Sequence, residues 1–402
     1  MSNATPWRSL AQLSHEELAT MAREYFLAGH LIDRAGMPHL IGNYGPDEMV
    51  AIAIDEWMGA SPVYTKRMQR LLGFESDTVE TIFKGMQLDI GAPPEFMDFR
   101  YRVQDANHGE FWLDHCGALM DVEPMGDELV HGMCHTIEDP TFEATAIASN
   151  PRARMTPIHR PPRVPSDRHP HCQWEINIVA DADPLPTPVQ MARVVASKAF
   201  SVETAPFVEP SPAESGWTDY TAPLDSDLRM DDFAASTLSQ ILEEAALQGH
   251  FLVMSGLVAV EQRHSSEEAA DLCRRQFAGT AGVVAKRLAR AFELGAGLDA
   301  IGQVLVWHPA FRPAAYVDLQ VTLDSAPSGA SRLRVELRNC AAATEPDVMT
   351  WLTELATGWT GALESISRAV DPTALVTALG PSEGVLQRFE ITLGTQRHDP
   401  SD

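Results

Sequence analysis

Two stretches decide the fold once they are laid over one another: AGHLIDRAGMPHLIGNYGPDEMVAIAIDEWMGASPVYTKRMQRL, residues 28–71, and QGHFLVMSGLVAVEQRHSSEEAADLCRRQFAGTAGVVAKRLARA, residues 248–291. They align without a gap. Gly29 and His30 meet Gly249 and His250, Glu48 meets Glu268, Gly59 meets Gly279, and Lys66, Arg67 and Arg70 meet Lys286, Arg287 and Arg290. Three further blocks repeat in the same order, FRYRVQDANHGEFWLDHCGALMDVEP with YVDLQVTLDSAPSGASRLRVELRNCAAATEP, FEATAIASNPRARMTPI with LESISRAVDPTALVTAL, and CQWEINI with QRFEITL. The second copy carries a longer hairpin tip. Four blocks in one order identify an internal duplication, and a repeat has to be recognised before any fold is assigned.

The duplication divides the chain into residues 1–180, a first copy, residues 181–231, a Pro-rich acidic linker, and residues 232–402, a second copy. The linker ends, DADPLPTP and APFVEPSPAESGWTDYTAPLDSD, favour extended chain around a short helical pattern from Val189 to Phe200. Within the first copy, Leu18, Met21, Tyr25 and Leu31, then Met49, Ile52, Ile54, Trp57 and Met58, recur at helical spacing. Gly45-Pro46-Asp47 is a helix start signal, and Asp77 is placed to cap a third helix over Thr78 to Met86. Phe99, Tyr101 and Val103 alternate with polar neighbours, which is strand periodicity, and Asn107-His108-Gly109 turns the chain into a partner strand from Phe111 to Asp114. A helix over Asp139 to Ser149, stopped by Asn150-Pro151, separates that hairpin from strands near Ala153 to Ile158 and Gln173 to Ile178. The expected class is α+β, a tandem duplication in which helices precede an antiparallel meander with an inserted helix, the copies packed as an intrachain pseudo-dimer.

The chain of 402 residues carries a formal charge of −26, from 56 acidic against 30 basic residues, and so repels nucleic acid and anionic membrane surfaces. No apolar run approaches the roughly 18 residues of a membrane span, and the first residues lack a signal-peptide pattern. Five cysteines make no disulfide framework, which points to a reducing, cytoplasmic setting. Three of them, Cys116, Cys134 and Cys172, fall with His115, His131, His135, His159, His169 and His171 inside the stretch from His115 to Trp174.

Thiolate and imidazole are the side chains zinc prefers, usually four in a tetrahedron. Strand ends of a meander share an edge, and that edge would gather Cys116, Cys134, His159 and Cys172, with His115, His135, His169 and His171 as substitute ligands. Iron or an iron–sulfur cluster suits thiolate-rich sets as well. The alternatives are inert thiols filling the core and a metal-free reactive cysteine. The second copy has Asn339-Cys340 and Gln387 at the places of His115-Cys116 and Cys172, and it lacks the His-rich loop, so it reads as a degenerate scaffold.

The order H-C-G-A-L, Cys134, Phe142-Glu143, Asn150-Pro151-Arg152 and the run from Arg160 to Glu175 resembles an uncharacterised group of prokaryotic cytosolic domains. That group is similar to L-2-amino-thiazoline-4-carboxylate hydrolase and, more loosely, to 4-vinyl reductase-type small-molecule-binding domains. The resemblance implies a small-molecule pocket and hydrolysis of a cyclic C=N compound, with cysteines at 116, 134 and 172 and His159 where the group has cysteine.

A metal with an open position would activate water, and Glu143 is the first choice to shuttle the proton, with Glu138 and Asp139 in reserve. Its counterpart Glu364 survives in the copy without the cluster, which also fits a helix-start charge. Arg152, Arg154 and Arg160, with Arg163, are placed to recognise a substrate carboxylate, unless surface acids neutralise them. The expected function is a metal-dependent hydrolase or lyase of a small polar, anionic molecule. The alternatives are a non-enzymatic binding or sensing protein with structural zinc, and an iron redox protein. The expected partners are a small-molecule substrate and the other half of the chain, with a homo-oligomer left open.

Overall fold

A computed structural model of the chain describes residues 7–325 and 331–394. The first copy opens with two long helices, α1 (His15–Tyr44) and α2 (Pro46–Leu71). Ser14 caps α1, its hydroxyl accepting the Glu17 N–H at 3.3 Å while the Glu17 carboxylate accepts the Ser14 N–H at 2.7 Å. This reciprocal box satisfies two donors that a helix start leaves orphaned. Gly45 sits at φ 88°, a conformation costly to any side chain, and lets one helix stop as Pro46 begins the next. The third helix, α3 (Val79–Gln87), is capped by Thr78 and not by Asp77.

The strands follow: β1 (Met97–Val103), β2 (His108–Cys116), β3 (Ala153–His159) and β4 (Cys172–Ile178). Between β2 and β3 lie α4 (Gly117–Val122), α5 (Asp127–His131), a π-helical turn (Gly132–Ile137) and α6 (Glu138–Ile147). The sheet is antiparallel throughout in the order β1-β2-β4-β3, which corrects the expected meander: β4 inserts beside β2 and leaves β3 at the edge.

Between the copies, α7 (Val189–Val195) occupies the expected helical pattern. The second copy repeats the plan with α8 (Ala235–Arg263), α9 (Ser266–Ala291) and α10 (Leu298–Trp307), then β5 (Leu319–Ser325) and β6 (Ser331–Arg338). It closes with α11 (Trp351–Ala356), α12 (Gly361–Val370), β7 (Ala374–Ala378) and β8 (Val385–Leu393), in the same sheet order β5-β6-β8-β7. The longer hairpin tip, residues 326–330, lies outside the described residues.

The two halves interlock about a pseudo-twofold axis. Helix α1 packs as extensively on α8 as on α9, and α8 packs most extensively on α2, each pairing exceeding that of α1 with α2. The symmetry is exact enough to repeat single contacts: Arg67 pairs with Glu244 at 2.7 Å, and its counterpart Arg287 pairs with Glu24 at 2.7 Å. A Cβ on Gly59 would lie 2.2 Å from Ser255 Oγ, and one on Gly279 would lie 3.1 Å from Ala35 Cβ, so glycine sits at both crossings. One apolar core runs through the helices of both copies and under the second sheet, while the first sheet holds a separate core around Phe111, Trp174 and Ile176.

The segment expected as an extended linker is packed across both halves. Helix α7 lies on α2 and α8, Tyr220 is buried, and Lys84 Nζ donates to the carbonyls of Tyr220 and Ala222 at 3.2 and 2.6 Å. Among the described residues no helix is long and apolar enough to cross a membrane.

Candidate functional site

Antiparallel pairing of β2 with β4 sets Leu113 opposite Cys172, which brings the end of β2, with Cys116, beside the start of β4. Cys134 reaches the same place from the π-helical turn, and all three thiols are buried in the core of the first sheet. Burial is the first cause that holds them protonated, and the Glu138 carboxyl adds to it. Cys116 is pushed up to about 12, and Cys134 and Cys172 are raised as well. Such thiols are poor nucleophiles.

His159 does not join them. It stands on the edge strand β3, opposite Gln173 and across β4 from β2, because the sheet is not a meander. The substitute histidines divide into two groups. His171 accepts the Cys116 N–H at 3.2 Å and lies 5.8 and 5.0 Å, ring to ring, from His115 and His169. His135 is 2.6 Å from the Pro161 carbonyl oxygen and stacks on His131 at 4.3 Å. Burial pushes His171 down to about 4. Among the described residues no group of three or more His, Cys, Asp or Glu side chains stands where it could hold a metal ion, so the four-ligand set of Cys116, Cys134, His159 and Cys172 is not assembled.

The feature that does gather polar chemistry is a cavity of about 110 Å³ between the helical layer and the first sheet. His30, Asp33, Arg34 and Met37 come from α1, Trp57 and Ser61 from α2, Met97 and Phe99 from β1, and Glu138 and Phe142 from α6. Most of its wall is apolar, and four methionines contribute to it, which suits adaptable packing around a ligand. A second hollow of about 510 Å³ shares Arg34, Met37, Met133 and Ile137 with the cavity. The π-helical turn forms part of both walls. Such turns recur at functional sites because they displace side chains from the regular helical track.

Within the cavity wall, polar atoms stand buried and unpartnered. Neither ring nitrogen of His30 meets a hydrogen-bond partner, and Asp33 Oδ1 and Glu138 Oε2 lack one too. His30 is 6% exposed and Asp33 5%. Leaving such groups unpaired costs about 1–3 kcal/mol each, and all three side chains belong to residues that line the one hollow.

The remaining atoms are tied down. Trp57 Nε1 donates to Asp33 Oδ2 at 3.0 Å, and Tyr64 Oη donates to Asp89 Oδ1 at 2.7 Å. Arg34 Nε approaches Asp33 Oδ1, the oxygen that lacks a hydrogen bond, at 3.8 Å, and Arg34 Nη1 approaches Asp121 at 3.3 Å. Burial pushes His30 down to about 3, so its ring is neutral. It raises Asp33, against the pull of Arg34, and Asp89 to about 6. Glu138 reaches about 8: its carboxyl end is enclosed, although other parts of the residue reach the surface, and Arg160 only partly opposes the burial.

Glu143, the first choice for proton transfer, does not line the cavity; its carboxylate accepts the Met155 N–H of β3 at 3.4 Å. The arginines also point elsewhere. Arg152 is exposed, Arg154 donates to the carbonyls of Pro151, Ala153 and Asp183, Arg160 pairs with Asp139 over the Trp174 ring, and Arg163 pairs with Glu123 at 2.7 Å. None reaches the cavity, so the carboxylate recognition expected of them has no carrier there.

The second copy shows what sequence reasoning missed. At the places of Asp33, Arg34, Trp57 and Ser61 it has Val253, Met254, Phe277 and Ala281. His250, the counterpart of His30, is held by the Arg312 carbonyl oxygen at 2.8 Å, and Phe277 stacks on Trp351 at 4.6 Å. Only a void of about 20 Å³ is left beside His250. Polar-to-apolar differences inside an otherwise ungapped repeat were the signal available. Compared with protein-family models, with curated proteins and with solved structures, the chain matches none.

Proposed function

We propose that the first copy is the working half of the molecule: a small-molecule enzyme of the hydrolase or lyase kind, with Glu138 as the proton-transfer group and the second copy as its scaffold. The observation that carries this reading is the convergence of the unpartnered atoms of His30, Asp33 and Glu138 on one largely apolar cavity. An acid raised to about 8 is poised for proton transfer near neutral pH. The resemblance to a thiazoline hydrolase group agrees in reaction type.

For a cyclic C=N substrate, protonated Glu138 gives its proton to the nitrogen and water adds to the carbon. The proton shed by that water returns to the carboxylate; Glu138 then hands it to the amine nitrogen as the C–N bond breaks and takes up the hydroxyl proton, leaving a carbonyl and an amine. The reading is tested by incubating the purified chain with a panel of cyclic imines, amidines and thiazolines and following product release by mass spectrometry from pH 6 to 9. The expected result is turnover that falls as pH rises through about 8 and is lost in Glu138→Gln. Turnover unchanged in Glu138→Gln would assign the proton transfer elsewhere.

A further inference from the structure

The unpartnered atoms in the cavity also specify what the ligand has to bring. Asp33 Oδ1 is an acceptor, Glu138 becomes one once its proton has passed to the ligand nitrogen, and neutral His30 offers one acceptor and one donor. Three carboxyl groups, Asp33, Asp89 and Glu138, line the hollow against a single cation, Arg34, and Arg34 is already approached by Asp33 and by Asp121 outside it. Trp57, Phe99 and Phe142 complete the wall with aromatic surface, the kind of surface that attracts a cation. Resting on the proposed function, we infer that the ligand is an organic nitrogen base bound as its cation: a compact, flat or ring-bearing apolar body whose N–H groups are received by Asp33 and Glu138.

The geometry argues against two other heads for such a body. A carboxylate would place its lone pairs against Asp33 Oδ1 and Glu138 Oε2, and the guanidinium that would offset the repulsion is engaged by two aspartates. A neutral amide brings N–H donors but no charge to set against the carboxyl groups of the wall. A cationic head with several N–H groups fills every gap with a charge-assisted bond. The cavity of about 110 Å³ is smaller than the roughly 150 Å³ that takes up a benzene ring, so its wall has to give around such a body, which the four methionines permit.

Benzamidine, benzamide and benzoate share one shape and differ in the charge of the head, so they separate the possibilities on the full chain by titration calorimetry. The expected order is benzamidine tighter than benzamide by about tenfold or more, with benzoate weakest, a ratio set by two charge-assisted bonds. Asp33→Asn, which keeps the shape and removes the charge, should weaken benzamidine by about tenfold and leave benzamide within about twofold. Benzoate or benzamide binding as tightly as benzamidine overturns the cationic class while leaving the cavity as the site. Failure of all three to bind overturns the class and the proposed site together. Benzamidine binding that Asp33→Asn leaves unchanged, with the variant folded by circular dichroism, overturns the assignment to this cavity.

Discussion

The same long helical pair and the same sheet order are built twice in this chain, and the difference that bears on function lies in the gap between helical layer and sheet. In the second copy Val253, Met254, Phe277 and Ala281 stand where the first has polar groups, and the core runs unbroken from helices to sheet. In the first copy the sheet has a core of its own, and the cavity lies along the boundary. The second half shows how this fold packs when apolar side chains fill that gap. The first shows what it keeps open at a cost.

The largest effects test whether the two halves stand as one unit. Trp174 and its counterpart Phe389 are both fully buried under their sheets. Replacing either with alanine should cost about 3–5 kcal/mol. Because the helical core is shared, both variants should lower a single calorimetric transition; two separate transitions would show halves that unfold independently.

The glycine at the α1 crossing sharpens the comparison. A Cβ on Gly29 would meet Ile90 Cγ2 at 2.5 Å, whereas one on Gly249 would meet Ile32 Cδ1 at 3.3 Å. Gly29→Ala should therefore destabilise by about 2 kcal/mol through overpacking. Gly249→Ala should fall within about 0.5 kcal/mol of wild type, the strain being offset by the helix preference of alanine. Equal costs in denaturant titration would mean that the two crossings are packed alike.

Writing the second copy's residues into the first, as Asp33→Val, Arg34→Met and Trp57→Phe together, removes buried polar groups without altering the fold. The expected outcome is a gain of about 1–2 kcal/mol in stability with complete loss of ligand binding. A loss of stability would mean that the polar set holds the structure as well as the ligand.

A smaller effect follows pH. Glu138 is raised from an ordinary 4.5 to about 8, first by burial, with Arg160 opposing and Asp139 adding to the shift. Its native state therefore prefers the proton. That contribution is complete below about 4.5 and is lost as pH climbs to about 8. Glu138→Gln should match wild type at pH 4 and exceed it by about 1 kcal/mol at pH 8, a figure kept low because part of the residue meets solvent. The three neighbouring thiols stay protonated across this range and do not mask it. Glu143→Gln should change stability least, by about 0.5 kcal/mol or less, since the amide oxygen can still accept the Met155 N–H.

The helices, their Gly45-Pro46 break and the duplication were legible because each rests on spacing that a chain carries along its length. The meeting of Cys116 with Cys172 was also foreseen, although through a meander the chain does not make; the pairing of β4 with β2 brings them together instead. His159 was misplaced for the same reason, since strand order is a long-range choice and β3 ended at the edge. The cavity was not legible at all from motif or periodicity. A hollow is defined by side chains that are absent, and Asp33 reads as an ordinary polar residue on α1 until its counterpart Val253 is set beside it. Glu138 passed as a reserve because no local pattern tells that a helix start will be enclosed by a sheet.

The packed segment between the copies carries a consequence for how the working half behaves on dilution. A site that borrows its support from a second, separate subunit is lost as the protein becomes scarce, because association depends on concentration. Here α7 and the stretch around Tyr220 lie across both halves, so the scaffold is held at an effective concentration that no dilution changes. The chain keeps its partner at nanomolar levels as firmly as at millimolar.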